Sequence, residues 1–158
     1  MAEISLDDID RGILHMLQED ARNHVASYIA EAVGVSPNMV RNRIERLEKS
    51  GVIENYHPQI DYELAGYQLR VLFLCTVPIR DRRDLADRVL TVEGVVKVTE
   101  ILSGHHNLTI EVIGVDTDDI TFIAQQIEDL GIGIRDERLI KRAQVVPFAH
   151  FGRDVIED

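Results

Sequence analysis

Residues 26–53 read ASYIAEAVGVSPNMVRNRIERLEKSGVI, and the fold of the N-terminal part turns on this stretch. Ala26, Ile29, Ala30 and Val33 recur at helical spacing. Gly34-Val35 interrupts that stripe. Ser36 is a residue that caps a following helix, and Pro37 suits a first helical turn, where its missing N–H costs nothing. The second helix then turns Val40, Ile44 and Leu47 inward and shows Asn38, Met39, Arg41, Asn42, Arg43, Arg46 and Lys49 on its other side. Gly51 ends it, and Val52-Ile53 starts an extended segment. Two short helices joined by a Gly-containing turn, the second rich in Asn and Arg, have the plan of a DNA-reading helix-turn-helix.

Working outward, Leu6, Ile9, Ile13, Leu14 and Leu17 form a further helical stripe that opens after Ser5 and Asp7, either of which can cap it. The expected N-terminal module is thus three helices, followed by a short strand or wing carrying Val52, Ile53, Tyr56 and Ile60, with Pro58 as punctuation. The second half alternates strand and helix signals. Strands are expected at 69–77, 95–102, 108–115 and 134–146, with helices at 81–90 and 117–130. The order β-α-β-β-α-β is the ferredoxin-like arrangement. The expected layout is 1–58 for the helix-turn-helix domain, 59–67 for a connector, 68–150 for the βαββαβ domain and 151–158 for a tail; the fold class is α+β.

Val71-Leu72-Phe73-Leu74-Cys75 is apolar at every position, and Leu139-Ile140 and Val145-Val146 add apolar pairs. A strand reads this way when both of its faces are buried. Helices cover one face of such a sheet, so the other is expected to meet a second copy of the chain.

The chain has 158 residues, 45% hydrophobic and 28% charged, enough for one good core or two small ones. It has no apolar run of membrane-spanning length. No basic-then-apolar leader precedes Glu3, Asp7 and Asp8, and a cytoplasmic location is expected. Cys75, the single cysteine, excludes an internal disulfide and reads as a small buried hydrophobe.

The net charge of −11 runs against DNA binding, since nucleic-acid binders are usually basic. The local balance differs: residues 36–51 hold Arg41, Arg43, Arg46 and Lys49 against Glu45 and Glu48, a net of +2. Of the 17 basic residues 14 are Arg, and acids dominate the remainder. This pattern fits a salty cytoplasm such as that of a halophilic archaeon, where acidic surfaces are tolerated and counterion release to DNA is weak. It also fits an ordinary acidic regulator whose dimer combines two basic patches.

Catalytic candidates are absent. Gly131-Ile132-Gly133 lacks the third glycine and the following helix of a dinucleotide fingerprint. There is no Cys/His ladder for zinc, and His105-His106 reads as a solvated turn between strands rather than a metal site. Asp118-Asp119 is a negatively charged first helical turn. Neither a cofactor nor a metal is expected.

Taken together, Leu6-Asp7-Asp8-Ile9-Asp10 with Ile13-Leu14, Val33-Gly34-Val35-Ser36-Pro37, Val40, Arg43-Ile44, Leu47, Gly51-Val52-Ile53, and Ser103-Gly104 ahead of Leu108 resemble the Lrp/AsnC family, the leucine-responsive and asparagine-type regulators. The resemblance covers the whole chain. It implies a winged-helix-like DNA-binding domain joined to a ligand-sensing, oligomerising domain. It also implies a homodimer that assembles further, to a tetramer or octamer, on pseudo-palindromic double-stranded DNA. Finally it implies a small-molecule effector such as an amino acid, held near Gly104, His105, His106 and Asn107. The family's loop often runs Gly-Asp-x-Asp, and here both carboxylates are replaced, by His105 and Asn107. A neutral His and Asn hold an ammonium group weakly, which predicts poor amino-acid binding and leaves another small molecule, a pH response through the histidines, or no effector as alternatives.

Sirohaem decarboxylases resemble the same two-domain family and supply the enzymatic alternative. Their corresponding loop is implied to be longer and aromatic, with Trp and Pro. This chain has no Trp and a short loop, and the expectation is a regulator and not an enzyme.

On this reading the helix at residues 37–49 enters the major groove. Asn38, Met39, Asn42 and Arg43 approach base edges, and Arg41, Arg46 and Lys49 contact phosphates, joined there by Ser36 at the helix start.

Overall fold

The computed structural model describes residues 4–152; Glu3 of the acidic N-terminus and residues 153–158 of the expected tail lie outside them. The chain divides into two compact units, Met1–Pro58 with Gln144–Asp158, and Gln59–Ala143. Residues 144–150, expected at the end of the βαββαβ domain, fall in the first unit.

In the first unit, α1 spans Asp8–Asp20, α2 Ala26–Val33 and α3 Pro37–Lys49. Asp7 caps α1 and forms a capping box with Asp10: each carboxylate accepts the other's backbone N–H, at 2.9 and 3.1 Å. The expected apolar stripes converge. Ile13, Leu14, Met16, Ile29, Ala30, Val40 and Leu47 form the core, with Leu6, Ile9, Ile44 and Ile53 packed against it. Phe151 joins the same cluster from the far end of the chain, and Phe148 donates its backbone N–H to Gln18 Oε1 at 3.2 Å. The expected wing is not a strand: residues 52–60 carry no strand pairing. Ile53 instead donates its N–H to the Leu47 carbonyl, which folds the segment back over the end of α3.

In the second unit, β1 (Leu69–Thr76), α4 (Arg82–Val89), β2 (Val95–Glu100), β3 (Leu108–Gly114), α5 (Thr117–Asp129) and β4 (Gly133–Leu139) follow in the expected order. The four strands form one antiparallel sheet in the order β2-β3-β1-β4. Val71, Phe73 and Cys75 of β1 and Leu108, Ile110 and Val112 of β3 share a core with Leu85 and Val89 of α4 and Ile120, Ile123 and Ile127 of α5. Apolar residues at every second strand position meet apolar stripes at helical spacing, so both helices lie on one face.

The opposite face is more polar than the apolar run of β1 suggested. By register it carries Leu72 and Leu74 of β1 beside Glu111 and Thr109 of β3, and beside Arg138 and Asp136 of β4. Leu72 and Leu74 are half-buried, and Glu111 is 8% exposed with an ion pair to Arg70 at 2.6 Å. The last strand stops at Leu139, so Val145 and Val146, about four-fifths exposed, lie outside the sheet and carry no sign of two-sided burial.

Candidate DNA-reading surface

The turn between α2 and α3 is built as its residues require. Gly34 takes a left-handed φ of +73° at the end of α2, which an L side chain rarely adopts, and Val35 returns its N–H to the Ala30 carbonyl at 3.0 Å. Ser36 then caps α3, its Oγ accepting the Met39 N–H at 3.2 Å, with Pro37 in the first turn. Gly51 (φ +78°) follows the Ser50 cap at the other end. Val40 and Leu47 are fully buried and Ile44 is half-buried, which fixes the rotation of α3 about its axis. Ser36, Asn38, Met39, Arg41, Asn42, Glu45 and Lys49 are exposed.

Two residues expected on that outer side are turned toward α1 instead. Arg43 Nη1 donates to Asp7 at 2.5 Å and to Asp10 at 3.1 Å, and its side chain is only one-quarter exposed. Arg46 Nη2 donates to the other Asp10 oxygen at 2.5 Å while its own side chain stays about half-exposed. Asp10 has no exposed surface, and its charge is answered by two guanidinium groups and a backbone N–H. Arg43 therefore does not point freely outward, contrary to its expected place at base edges.

The Asp10 N–H, and then the Arg43 guanidinium, hold the Asp7 carboxyl below the usual carboxylate range; the same Asp7 bond, with Asp10, raises the Arg43 guanidinium. Lys49 pairs with Glu45 along the helix at 2.5 Å and lowers its carboxyl. Arg41 has no ion-pair partner among the described residues.

Chemically, this surface offers the amides of Asn38 and Asn42, which match adenine's N6/N7 pair, and the unpaired guanidinium of Arg41, which suits phosphate or guanine. From the sequence Asp7 reads as a cap, and Asp10 stands out only as part of the Leu6–Asp10 motif. The available signal was two acids three apart at the start of one helix and two arginines three apart on another, each spacing being one helical turn.

The loop before β3 is the second candidate. Gly104 has φ +101°. His105 is exposed, and its carbonyl accepts the Thr76 hydroxyl at 2.9 Å. Asn107 is fully employed within the protein: Oδ1 accepts the Val77 N–H at 2.9 Å and Nδ2 donates to the Val77 carbonyl at 2.7 Å. It stitches the loop to the end of β1. His106 is half-buried, and its Nδ1 has no hydrogen-bond partner among the described residues. Among those residues no three His, Cys, Asp or Glu side chains cluster as metal ligands would. Burial pushes the Cys75 thiol up to about 12, which suits an inert core position. No helix of the described residues is long and apolar enough to cross a membrane.

Comparison with known proteins agrees with this geometry. Residues 6–54 match the family model described as winged helix-turn-helix DNA-binding. The transcriptional regulator LysM of Sulfurisphaera tokodaii is 32% identical over 130 residues, covering 82% of this chain and 86% of LysM. The regulator AldR of Mycolicibacterium smegmatis is 31% identical over 117 residues, covering 73% of this chain and 68% of AldR. The crystal structure of the leucine response regulatory protein LrpA of Mycobacterium tuberculosis superimposes with a TM-score of 0.79 at 25% identity, over 92% of this chain and 99% of that one.

Proposed function

The chain belongs to the Lrp/AsnC family of helix-turn-helix transcriptional regulators, and from that premise we propose that it reads a pseudo-palindromic operator as a homodimer or a larger assembly. The observation that carries this reading is the exposed set Asn38, Arg41 and Asn42 on a helix whose rotation is fixed by buried Val40 and Leu47. The first two turns of α3 enter the major groove. Asn38, Met39 and Asn42 meet base edges, Arg41 and Lys49 meet phosphates, and a phosphate lies near Ser36 at the helix start. Arg43 and Arg46 act mainly through their hold on α1.

Two copies associate through the open face of the sheet, where Leu72 and Leu74 supply the apolar centre and Arg70–Glu111 and Arg138 the polar surround. A small-molecule effector binds beside Gly104 and His105, with Asn107 shaping the loop rather than gripping the ligand. The protein works in the cytoplasm, without enzymatic activity.

Selection of binding sites from a randomised duplex pool tests the reading. Enrichment of a motif with two half-sites about one helical turn apart is expected. Asn42→Ala is expected to lose roughly 1–3 kcal/mol of binding to the selected duplex, with wild-type helix content. Recovery of no motif would overturn the proposal.

A further inference from the structure

We infer that Asp10, seconded by Asp7, is a positioning residue for DNA recognition: it locks the angle of α3 against α1 and withdraws the charges of Arg43 and Arg46 from the duplex. The inference rests on the DNA-binding reading above and adds a division of labour within its helix.

The geometry is specific. Asp10 is wholly buried, yet neither of its oxygens is idle: Oδ1 takes Arg43 at 3.1 Å, and Oδ2 takes Arg46 at 2.5 Å and the Asp7 N–H at 3.1 Å. Asp7 takes Arg43 with one oxygen and the Asp10 N–H with the other. The first turn of α1 is thereby tied to two successive turns of α3, at residues 43 and 46. Two attachments one turn apart resist both sliding and swivelling of α3, which a single contact would not. Apolar packing alone is non-directional and sets such an angle loosely. Charge-assisted bonds to planar guanidinium groups carry strict geometry.

The same bonds change the electrostatics of the helix. Four cationic side chains lie between residues 36 and 51. Arg43 and Arg46 are compensated by the buried carboxylate of Asp10, Arg43 also by the exposed one of Asp7, and Lys49 by Glu45. Arg41 alone among them has no ion-pair partner in the described residues. A recognition helix with few free cations binds unrelated DNA weakly, because that mode is paid by phosphate neutralisation. Base contacts through Asn38 and Asn42 then make up a larger share of binding, and the ratio of selected to unrelated DNA rises.

The test uses the full chain and two probes: the duplex that wild type selects from a randomised pool, and an unrelated duplex of equal length. Affinity is measured across a salt series for wild type, Asp10→Asn and Asp7→Asn. For Asp10→Asn, the log–log salt slope on the unrelated duplex is expected to steepen by about one unit per arginine released. The preference for the selected duplex is expected to fall about tenfold, the scale of one disturbed base contact. A slope and preference both equal to wild type, beside a lowered melting temperature, would show a purely structural role and overturn the inference. Should Asp10→Asn fail to fold, Asp7→Asn carries the test, since Asn caps a helix as well as Asp does. A steeper slope with wild-type helix content supports the inference, and an unchanged slope overturns it. Wild type binding neither duplex would fail the DNA-binding reading itself, before any variant is compared.

Discussion

Arg43 and Asn107 show what a single sequence conveys about a side chain and what it withholds. Periodicity correctly put Arg43 off the Val40–Leu47 stripe, but residues off the stripe include those at its border, and a border arginine reaches whatever acid lies across the groove. That acid is 33 positions earlier, at Asp10, so no local rule finds it. Replacing Arg43 with Ala is therefore expected to strip Asp7 of its partner and expose part of a buried charge at Asp10, and so to lower stability rather than to act on DNA alone. Asp7 gives this a pH signature. Its folded value lies below the ordinary carboxylate range, so the stabilisation is complete above about pH 4 and is lost as pH falls through the folded value. Thermal melts of wild type and Asp7→Asn are expected to converge as the pH falls below the ordinary carboxylate range and to separate above it; parallel curves would contradict the role given to Asp7. Asn107 makes a comparable point. Its loop position suggested a weak ligand contact, but its amide both donates to and accepts from Val77. A carboxylate at that position cannot donate, so Asn107→Asp is expected to cost about 1–3 kcal/mol in denaturant unfolding without raising affinity for any amino acid. Calorimetric detection of tighter amino-acid binding by that variant would restore the ligand-holding role.

At the scale of elements, the helices were legible because each has its own punctuation: Asp7, Ser36-Pro37 and Gly34 mark ends, and the apolar spacing marks a face. The strand order of the second unit followed from alternating signals for the same reason. The segment 52–60 does not form the strand its side chains suggest, because Val52, Ile53, Tyr56 and Ile60 have no partner strand; Ile53 packs on the helical core instead. The sheet's open face was misread in composition. An apolar run in one central strand does not fix what its neighbours present, and here β3 and β4 bring Glu111, Asp136 and Arg138 alongside Leu72 and Leu74. A probe for self-association must therefore sit on the open face and not in the core. Phe73 is 1% exposed on the helix side of the sheet, so Phe73→Asp would unfold the unit whether or not it dimerises. Leu74→Asp is expected to leave the fold intact and to shift the particle toward monomer in light scattering. An unchanged mass would place the interface elsewhere.

For the whole molecule, the helix-turn-helix unit is completed by residues from both ends of the chain. Phe151 packs on its core, and a Cβ at Gly152 would meet the Gly12 backbone N at 3.1 Å, so this segment lies close against α1. The sequence held no signal of that return beyond two aromatic residues near its end. Phe151→Ala is expected to cost the first unit roughly 1–2 kcal/mol, less than a full core aromatic because the ring is half-buried, read by denaturant unfolding. The net charge of −11 surrounds a recognition helix on which three of four cations are already paired, so binding at high salt must rest on base contacts more than on phosphates. The most direct measurement is therefore a salt series of affinities for the duplex selected by the wild-type protein and for an unrelated one, with Asn42→Ala alongside. The account predicts a marked preference for the selected duplex, a shallow salt slope, and loss of that preference in the variant. Equal affinity for both duplexes, or a preference untouched by Asn42→Ala, would contradict it.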